Sequence, residues 1–272
     1  MSEIEWTDET WNPVTGCSRV SRGCDHCYAM MMARRLDGQG YGYDGTTRRT
    51  EHGTDWTGVV KTHEDRLEEP LHWRKPRRVF ANSMSDLFHP KVPSRFVDKV
   101  FATMALAPTH TFQILTKRPE RMATYLDASP AALKARWRQA AEEQHGQTPD
   151  LAYPLPNVWL GTSVEDRDAL HRVDALRPID ASVRFLSLEP LLGDLTGLDL
   201  TRIDWVIVGG ESGHSARPIK KEWVTSIRDQ CQKENVPFFF KQWGGRHSKA
   251  KGRTLDGQVW EEMPQTTTLQ AA

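Results

Sequence analysis

Six short apolar runs punctuate the chain, at 79–83 (Val-Phe-Ala-Asn-Ser), 112–117, 158–163, 184–189, 205–211 and 237–243, and each gives way to small or polar residues. Continuous apolar runs of this length suit strands buried on both faces, as the strands of parallel sheets are. Helical patterns lie between them. Phe96, Val97, Val100, Phe101 and Met104 recur at three- and four-residue spacing after Pro93-Ser94, which reads as a helix start. A second helix opens at Arg118-Pro119-Glu120 and runs through Leu126, and Glu165 to Leu176 and Glu222 to Glu234 carry similar patterns. Strand–helix alternation sustained in this way predicts an α/β fold, a partial or complete parallel (β/α) barrel formed by one domain over residues 1–264.

Three parts break the rhythm. Residues 37–58 hold six glycines (Gly38, Gly40, Gly42, Gly45, Gly53 and Gly58) and few apolar residues, so they are expected to form a long irregular loop, a class often functional. Residues 128–157 read as a helical insertion built on the helix-favouring stretch Ala131–His145. Thr254 to Trp260, with Asp256-Gly257 at its centre, predicts a C-terminal hairpin, and 265–272 a disordered tail.

Composition narrows the class without choosing a function. Lys plus Arg and Asp plus Glu number 36 each in 272 residues, so bulk charge does not hold this chain to nucleic acid, although a local basic patch remains compatible. With 26% charged and 38% hydrophobic residues the chain is globular rather than disordered. It has no apolar run long enough to span a bilayer, and its N-terminus is acidic and polar. The expectation is a cytoplasmic protein without membrane contact.

The chemistry collects where strands end. In a parallel barrel these C-terminal ends converge on one face, where active sites lie. The runs end at Asn82, at Thr116-Lys117-Arg118, at Ser163 and Glu165, at Ser187 and Glu189, at Gly209-Gly210-Glu211 and at Lys241-Gln242. Lys117, Glu189 and Lys241 are the candidate catalytic groups. Asn82, Ser163 and Gly209-Gly210-Glu211 are candidate cofactor contacts, since adjacent glycines admit close backbone approach and a carboxylate can meet a cation.

Cys17, Cys24 and Cys27 crowd into GCSRVSRGCDHCY, while Cys231 stands alone in a helical pattern as a buried thiol. Three readings of the trio compete. Zinc wants a fourth protein ligand, a redox pair leaves Cys17 without a role, and a 4Fe–4S cluster held by three thiolates leaves one iron open.

The trio, the alternation and the glycine-glycine-glutamate strand end together resemble the radical S-adenosylmethionine superfamily. More closely, the chain resembles the phage-associated three-Cys-motif family, a group of unknown function. The segments that carry this likeness are WNPVTGCSRVSRGCDHCYA, VFANSMSDLFH, ILTKRPERM, PNVWLGTSVEDR, RFLSLEPLLG, WVIVGGESG and FFFKQWGG, spanning residues 11 to 245. The resemblance implies Cys17, Cys24 and Cys27 as ligands of a 4Fe–4S cluster, with S-adenosylmethionine cleaved to a 5′-deoxyadenosyl radical by an electron from a donor such as flavodoxin or ferredoxin. It also implies Glu211 as the partner of the methionine ammonium. The cysteine spacing here is six then two residues, where the superfamily commonly has three then two.

Basic and aromatic residues interleave at 72–78 (His-Trp-Arg-Lys-Pro-Arg-Arg), and Arg34, Arg35, Arg48 and Arg49 flank the glycine-rich stretch. Such patches suit phosphates and stacked bases. The 72–78 patch precedes its strand, so a barrel would put it on the face away from the site. Two readings of function follow: a radical enzyme acting on DNA, RNA or a nucleotide, and a non-catalytic metal- or cluster-containing module that binds nucleic acid or a partner protein.

Overall fold

In a computed structural model, residues 4–51, 53–246 and 252–265 are described. Seven strands form one parallel sheet: β1 (Glu9–Trp11), β2 (Arg78–Ala81), β3 (Thr111–Thr116), β4 (Val158–Ser163), β5 (Val183–Leu188), β6 (Trp205–Gly209) and β7 (Phe238–Gln242). Their spatial order follows the chain, and the sheet curls into a half-barrel. Helices α1 (Tyr28–Leu36), α2 (Ser94–Leu106), α3 (Pro119–Leu126), α4 (Pro130–His145), α5 (His171–Leu176) and α6 (Lys221–Glu234) fill most of the crossovers. The β5–β6 connection has no helix; Leu191, Leu195, Leu198, Leu200 and Ile203 supply its apolar cover.

The two-residue period of a strand sorts each strand's side chains between the faces. Val79, Ala81, Phe112, Ile114, Val158, Leu160, Leu186, Leu188, Val206, Val208, Phe238 and Phe240 face outward and pack with Phe96, Val100, Phe101, Trp137 and Ile227 of the helices. Phe80, Trp159, Phe185, Trp205, Ile207 and Phe239 face inward, joined by Trp6. These rings interlock, Trp6 on Phe80 at 4.7 Å and Trp159 on Trp205 at 5.8 Å between centroids. Gly161 admits them, since a Cβ there would lie 2.5 Å from the Phe185 ring. The concave side is therefore floored with aromatics. Continuing the alternation along each strand, Asn82, Lys117, Ser163, Ser187, Glu189, Gly209 and Lys241 take the same face one pleat nearer the C-terminal mouth.

Several expectations meet corrections. Residues 37–58 are not irregular throughout: Thr47–Thr50 and Gly53–Trp56 pair as an antiparallel hairpin, anchored by Trp56, which is buried with Tyr43 against α1. Strand β1, too short and polar to register as an apolar run, pairs with β2. The segment from Glu165 begins as a short 3-10 turn at Arg167–Ala169 and is α-helical only over His171–Leu176, because Asp166 turns back to accept the Asp168 N–H. In the 128–157 insertion only α4 is helical, opened by the Ser129 hydroxyl accepting the Ala132 N–H. The C-terminal hairpin is present, with Thr254–Leu255 paired to Gln258–Val259; most of the expected tail, 266–272, lies outside the described residues. In the 72–78 patch Arg77 and Arg78 pair with Glu9 and Asp8 at the N-terminal end of the sheet, away from the mouth. Among the described residues no helix is long and apolar enough to cross a membrane.

Candidate active site

The cysteine segment leaves β1 and crosses the C-terminal mouth of the half-barrel. Its first turn depends on Gly16, which has φ +82° and lies where a Cβ would come within 2.0 Å of the Val59 carbonyl oxygen. From there it is tied to one strand end after another.

At the β2–β3 end, Arg118 gathers the strands. Its Nη1 reaches Asp86 at 2.7 Å and the Cys17 sulfur at 3.9 Å, and its Nη2 donates to the Ser18 carbonyl and hydroxyl at 3.0 Å each. Asp86 in turn accepts from the Thr116 hydroxyl at 2.7 Å. His89 lies 2.8 Å from the Ser18 hydroxyl. Burial and the Arg118 charge push its pKa down to about 4, so the ring is neutral. Its Nδ1 accepts the Lys91 N–H at 3.1 Å, which leaves Nε2–H to donate to Ser18.

At the β4 end, Glu165 receives the turn Arg22–Cys24. Its carboxylate accepts from Ser21 Oγ at 3.0 Å, from Arg172 Nη1 at 3.0 Å and from Lys117. It lies so close under Gly23 that a Cβ there would come within 2.4 Å. Burial pushes the Glu165 carboxyl up, but Lys117, Arg172 and Ser21 pull it further down, below the usual carboxylate range.

At the β6 end, Glu211 holds the loop between Cys24 and Cys27. His26 Nδ1 donates to its Oε2 at 2.9 Å. Arg217 donates its backbone N–H and Nε to Oε2, each at 2.9 Å, and its Nη2 to Oε1 at 2.5 Å. Arg217 also reaches Asp25 at 3.2 Å and the Arg22 carbonyl at 2.8 Å. Burial raises the Glu211 carboxyl while Arg217 and His26 lower it, and the balance lies below the usual range.

Cys17 and Cys27 pack against the same apolar cluster, formed by Met30, Ala33, Tyr43, Trp56 and Met84. Burial pushes the Cys17 thiol up to about 12, and raises the Cys27 thiol despite the α1 N–H groups of Ala29 and Met30 and the nearby Lys117 charge. Among the described residues, no three His, Cys, Asp or Glu side chains gather tightly enough to chelate a single ion. Cys231 is buried on α6 in the outer core, away from the trio.

The remaining expected site residues divide. Lys241 pairs with Glu189 at 2.7 Å, and among the described residues the other Glu189 oxygen receives only a long 3.4 Å bond from Ser187. Lys117 is committed to Glu165. Ser163 is buried, and its carbonyl accepts from Arg172 at 2.9 Å. Asn82 adopts φ +61°; its Oδ1 accepts the Val14 N–H at 3.2 Å, while its buried Nδ2 has no hydrogen-bond partner among the described residues. Gly209 and Gly210 do not offer open backbone as expected. A Cβ on Gly209 would lie 3.0 Å from the Glu189 carboxylate, and one on Gly210 would lie 2.3 Å from the Trp243 carbonyl. Glu211 is largely committed: Oε2 accepts from His26 Nδ1 and from the backbone N–H and Nε of Arg217, while Oε1 accepts from Arg217 Nη2 alone among the described residues.

Sequence reasoning passed over Arg172, Arg217 and the clamping role of Glu165. Glu165 was visible as a charge just beyond a strand. Arg217 carries no local signal, because its partners lie 6 and 192 residues away. Glu211→Gln is expected to cost about 2–3 kcal/mol, at the low end for a broken buried pair because Arg217 keeps some access to water. Urea unfolding of Glu211→Gln, Arg217→Ala and the double variant checks this, with strong non-additivity expected; additive losses would separate the two residues.

No curated protein and no solved structure matches this chain. A family match covers residues 1–264, nearly its whole length. The chain belongs to the family described as a protein of unknown function, DUF5131.

Proposed function

We propose that Cys17, Cys24 and Cys27 hold a 4Fe–4S cluster and that the protein is a radical S-adenosylmethionine-type enzyme acting on a nucleic acid or nucleotide. The observation that carries this reading is the tying of the cysteine segment to the strand ends, through Arg118 at Cys17, Glu165 at Ser21 and Glu211 at His26. The donor set suits a cluster. Three thiolates are the ligand number that leaves one iron of a 4Fe–4S cluster open, and Arg118 and Lys117 bring positive charge to the Cys17 and Cys27 thiols, which burial otherwise keeps protonated.

The chemistry supplied when cluster and cofactor are bound is one-electron reductive cleavage of a sulfonium, with the electron coming from a donor such as flavodoxin or ferredoxin. The chain's own residues do the rest. Glu165 and Glu211 fix the cysteine loop. The aromatic floor excludes water from below. Glu189, with one oxygen held only by the long Ser187 bond, has the capacity to receive an ammonium, and Lys241 beside it orients a carboxylate or phosphate at the mouth. Free thiols in this number fit a reducing compartment, the cytoplasm.

Anaerobically purified protein is expected to carry iron and acid-labile sulfide. Cys17→Ala, Cys24→Ala and Cys27→Ala should each abolish loading, while Cys231→Ala leaves it intact. Stoichiometric zinc without iron would overturn the reading. The engagement of Glu211 with His26 and Arg217 favours a second reading, a cluster-containing binding module without catalysis, and loading without cofactor cleavage would select it.

A further inference from the structure

Beside the thiols lies a recess of about 410 Å³, lined by Thr10, Asn12, Met32, Tyr41, Tyr43, Arg66 and Met84 among others. Its size falls within the range of small-ligand sites. Two of its walls, Tyr43 and Met84, also pack in the cluster that takes in Cys17 and Cys27, so the recess adjoins the mouth. The loop forming its rim is held in place: the Gly42 carbonyl accepts from the Thr15 hydroxyl at 2.7 Å, and the Tyr41 carbonyl from Arg66 at 2.7 Å.

The surface around the recess is unusual for this molecule. Among the described residues, six of the seven exposed large apolar side chains, Val20, Tyr28, Met31, Met32, Tyr41 and Val59, belong to the cysteine segment, α1 and the loops and hairpin that follow it. Tyr41 lines the recess yet is 55% exposed. Arg35 follows Met32 by one turn on the exposed side of α1, and Arg48 and Arg49 stand exposed on the hairpin that packs against α1 through Trp56. Aromatic and thioether faces bordered by guanidinium groups match a stacked base and its phosphates.

We infer that this recess takes a base turned out of a single-stranded nucleic acid, stacked on Tyr41, with the strand's phosphates running past Arg35 and Arg49. This deepens the nucleic-acid part of the proposed function and rests on it; binding itself needs no cluster.

The test is fluorescence anisotropy with the full chain and labelled fifteen-nucleotide single strands, one DNA and one RNA, against a duplex of the same sequence. Single strands of at least one sugar type should bind more tightly than the duplex. Tyr41→Ala should weaken binding roughly tenfold, the scale of one stacked base, and Tyr41→Phe should retain it. Because Arg66 holds the Tyr41 carbonyl rather than its ring, the fold is expected to survive both. Arg35→Ala and Arg49→Ala should each lower the salt slope by about 0.7, one phosphate on a single strand. Arg74→Ala, in the patch at the opposite end of the sheet, should change nothing. Duplex binding as tight as single-strand binding, indifference to Tyr41→Ala, or no binding of either strand would overturn the inference. Iron loading retained without oligonucleotide binding would remove this inference alone, whereas oligonucleotide binding by protein that never loads iron would remove the cluster reading alone.

Discussion

Glu165→Gln is expected to destabilise the protein by about 3–5 kcal/mol, the range for removing one partner of a buried ion pair. Glu165 is 1% exposed, and its charge answers both Lys117 and Arg172. Lys117 can turn partly to water, but the Arg172 side chain is 3% exposed. It would remain charged in the interior with two neutral acceptors, the Ser163 carbonyl and the new glutamine's amide oxygen, in place of a carboxylate. Glutamine keeps the shape, so the loss is electrostatic and not a cavity effect. For a chain of this size the melting temperature should fall on the order of 6–15 °C. The pH dependence has a definite sign. The folded-state pKa lies below the unfolded one, so the stabilisation is complete above the ordinary carboxylate range of about 4.3. It is lost as pH falls through the lowered folded value, and the gap between wild type and Glu165→Gln should close on acidification. Thermal melts across pH check both points; a gap under 1 kcal/mol at neutral pH would show that the pair is not structural.

Gly16→Ala should be comparably severe, and for backbone reasons alone. The position has φ +82°, and the added methyl would meet the Val59 carbonyl oxygen at 2.0 Å and the Thr46 methyl at 3.1 Å. Backbone, unlike a flexible side-chain end, cannot swing aside, so strain and clash together should cost on the order of 3–4 kcal/mol. Gly38 supplies the control, since it has φ +77° with nothing within 4 Å of a Cβ, and Gly38→Ala should cost only about 1 kcal/mol. Because Gly16 immediately precedes Cys17, the displaced turn should also lower iron loading, which the Gly38 variant leaves alone. Denaturant unfolding with iron analysis on the two variants separates strain from local loss of the site.

The repeating strands β2 to β7 and helices α2, α3, α4 and α6 were legible because burial on both faces writes itself as apolar runs, and burial on one face as three- and four-residue spacing. The convergence of polar strand ends was legible for the same reason, since parallel strands in chain order must end together. The hairpin at 47–56 was hidden: its sequence is polar, and a single tryptophan, Trp56, anchors it to α1. The surroundings of Gly209-Gly210-Glu211 were not legible: the glycines make room for the Glu189 carboxylate and the Trp243 backbone, and Glu211 is engaged by His26 and Arg217.

By itself, then, the sequence determined the α/β class, the polar C-terminal ends of the strands and the crowding of three thiols within eleven residues, because periodicity and local spacing depend on neighbours along the chain. Which carboxylates are spent and which are free was decided only by tertiary structure. Glu165 and Glu211 are matched to partners as far as 144 and 185 residues away, and one Glu189 oxygen is taken by Lys241 from the last strand while the other meets the Ser187 hydroxyl at a long 3.4 Å. A charge's availability depends on what burial sets beside it, and no local pattern carries that information.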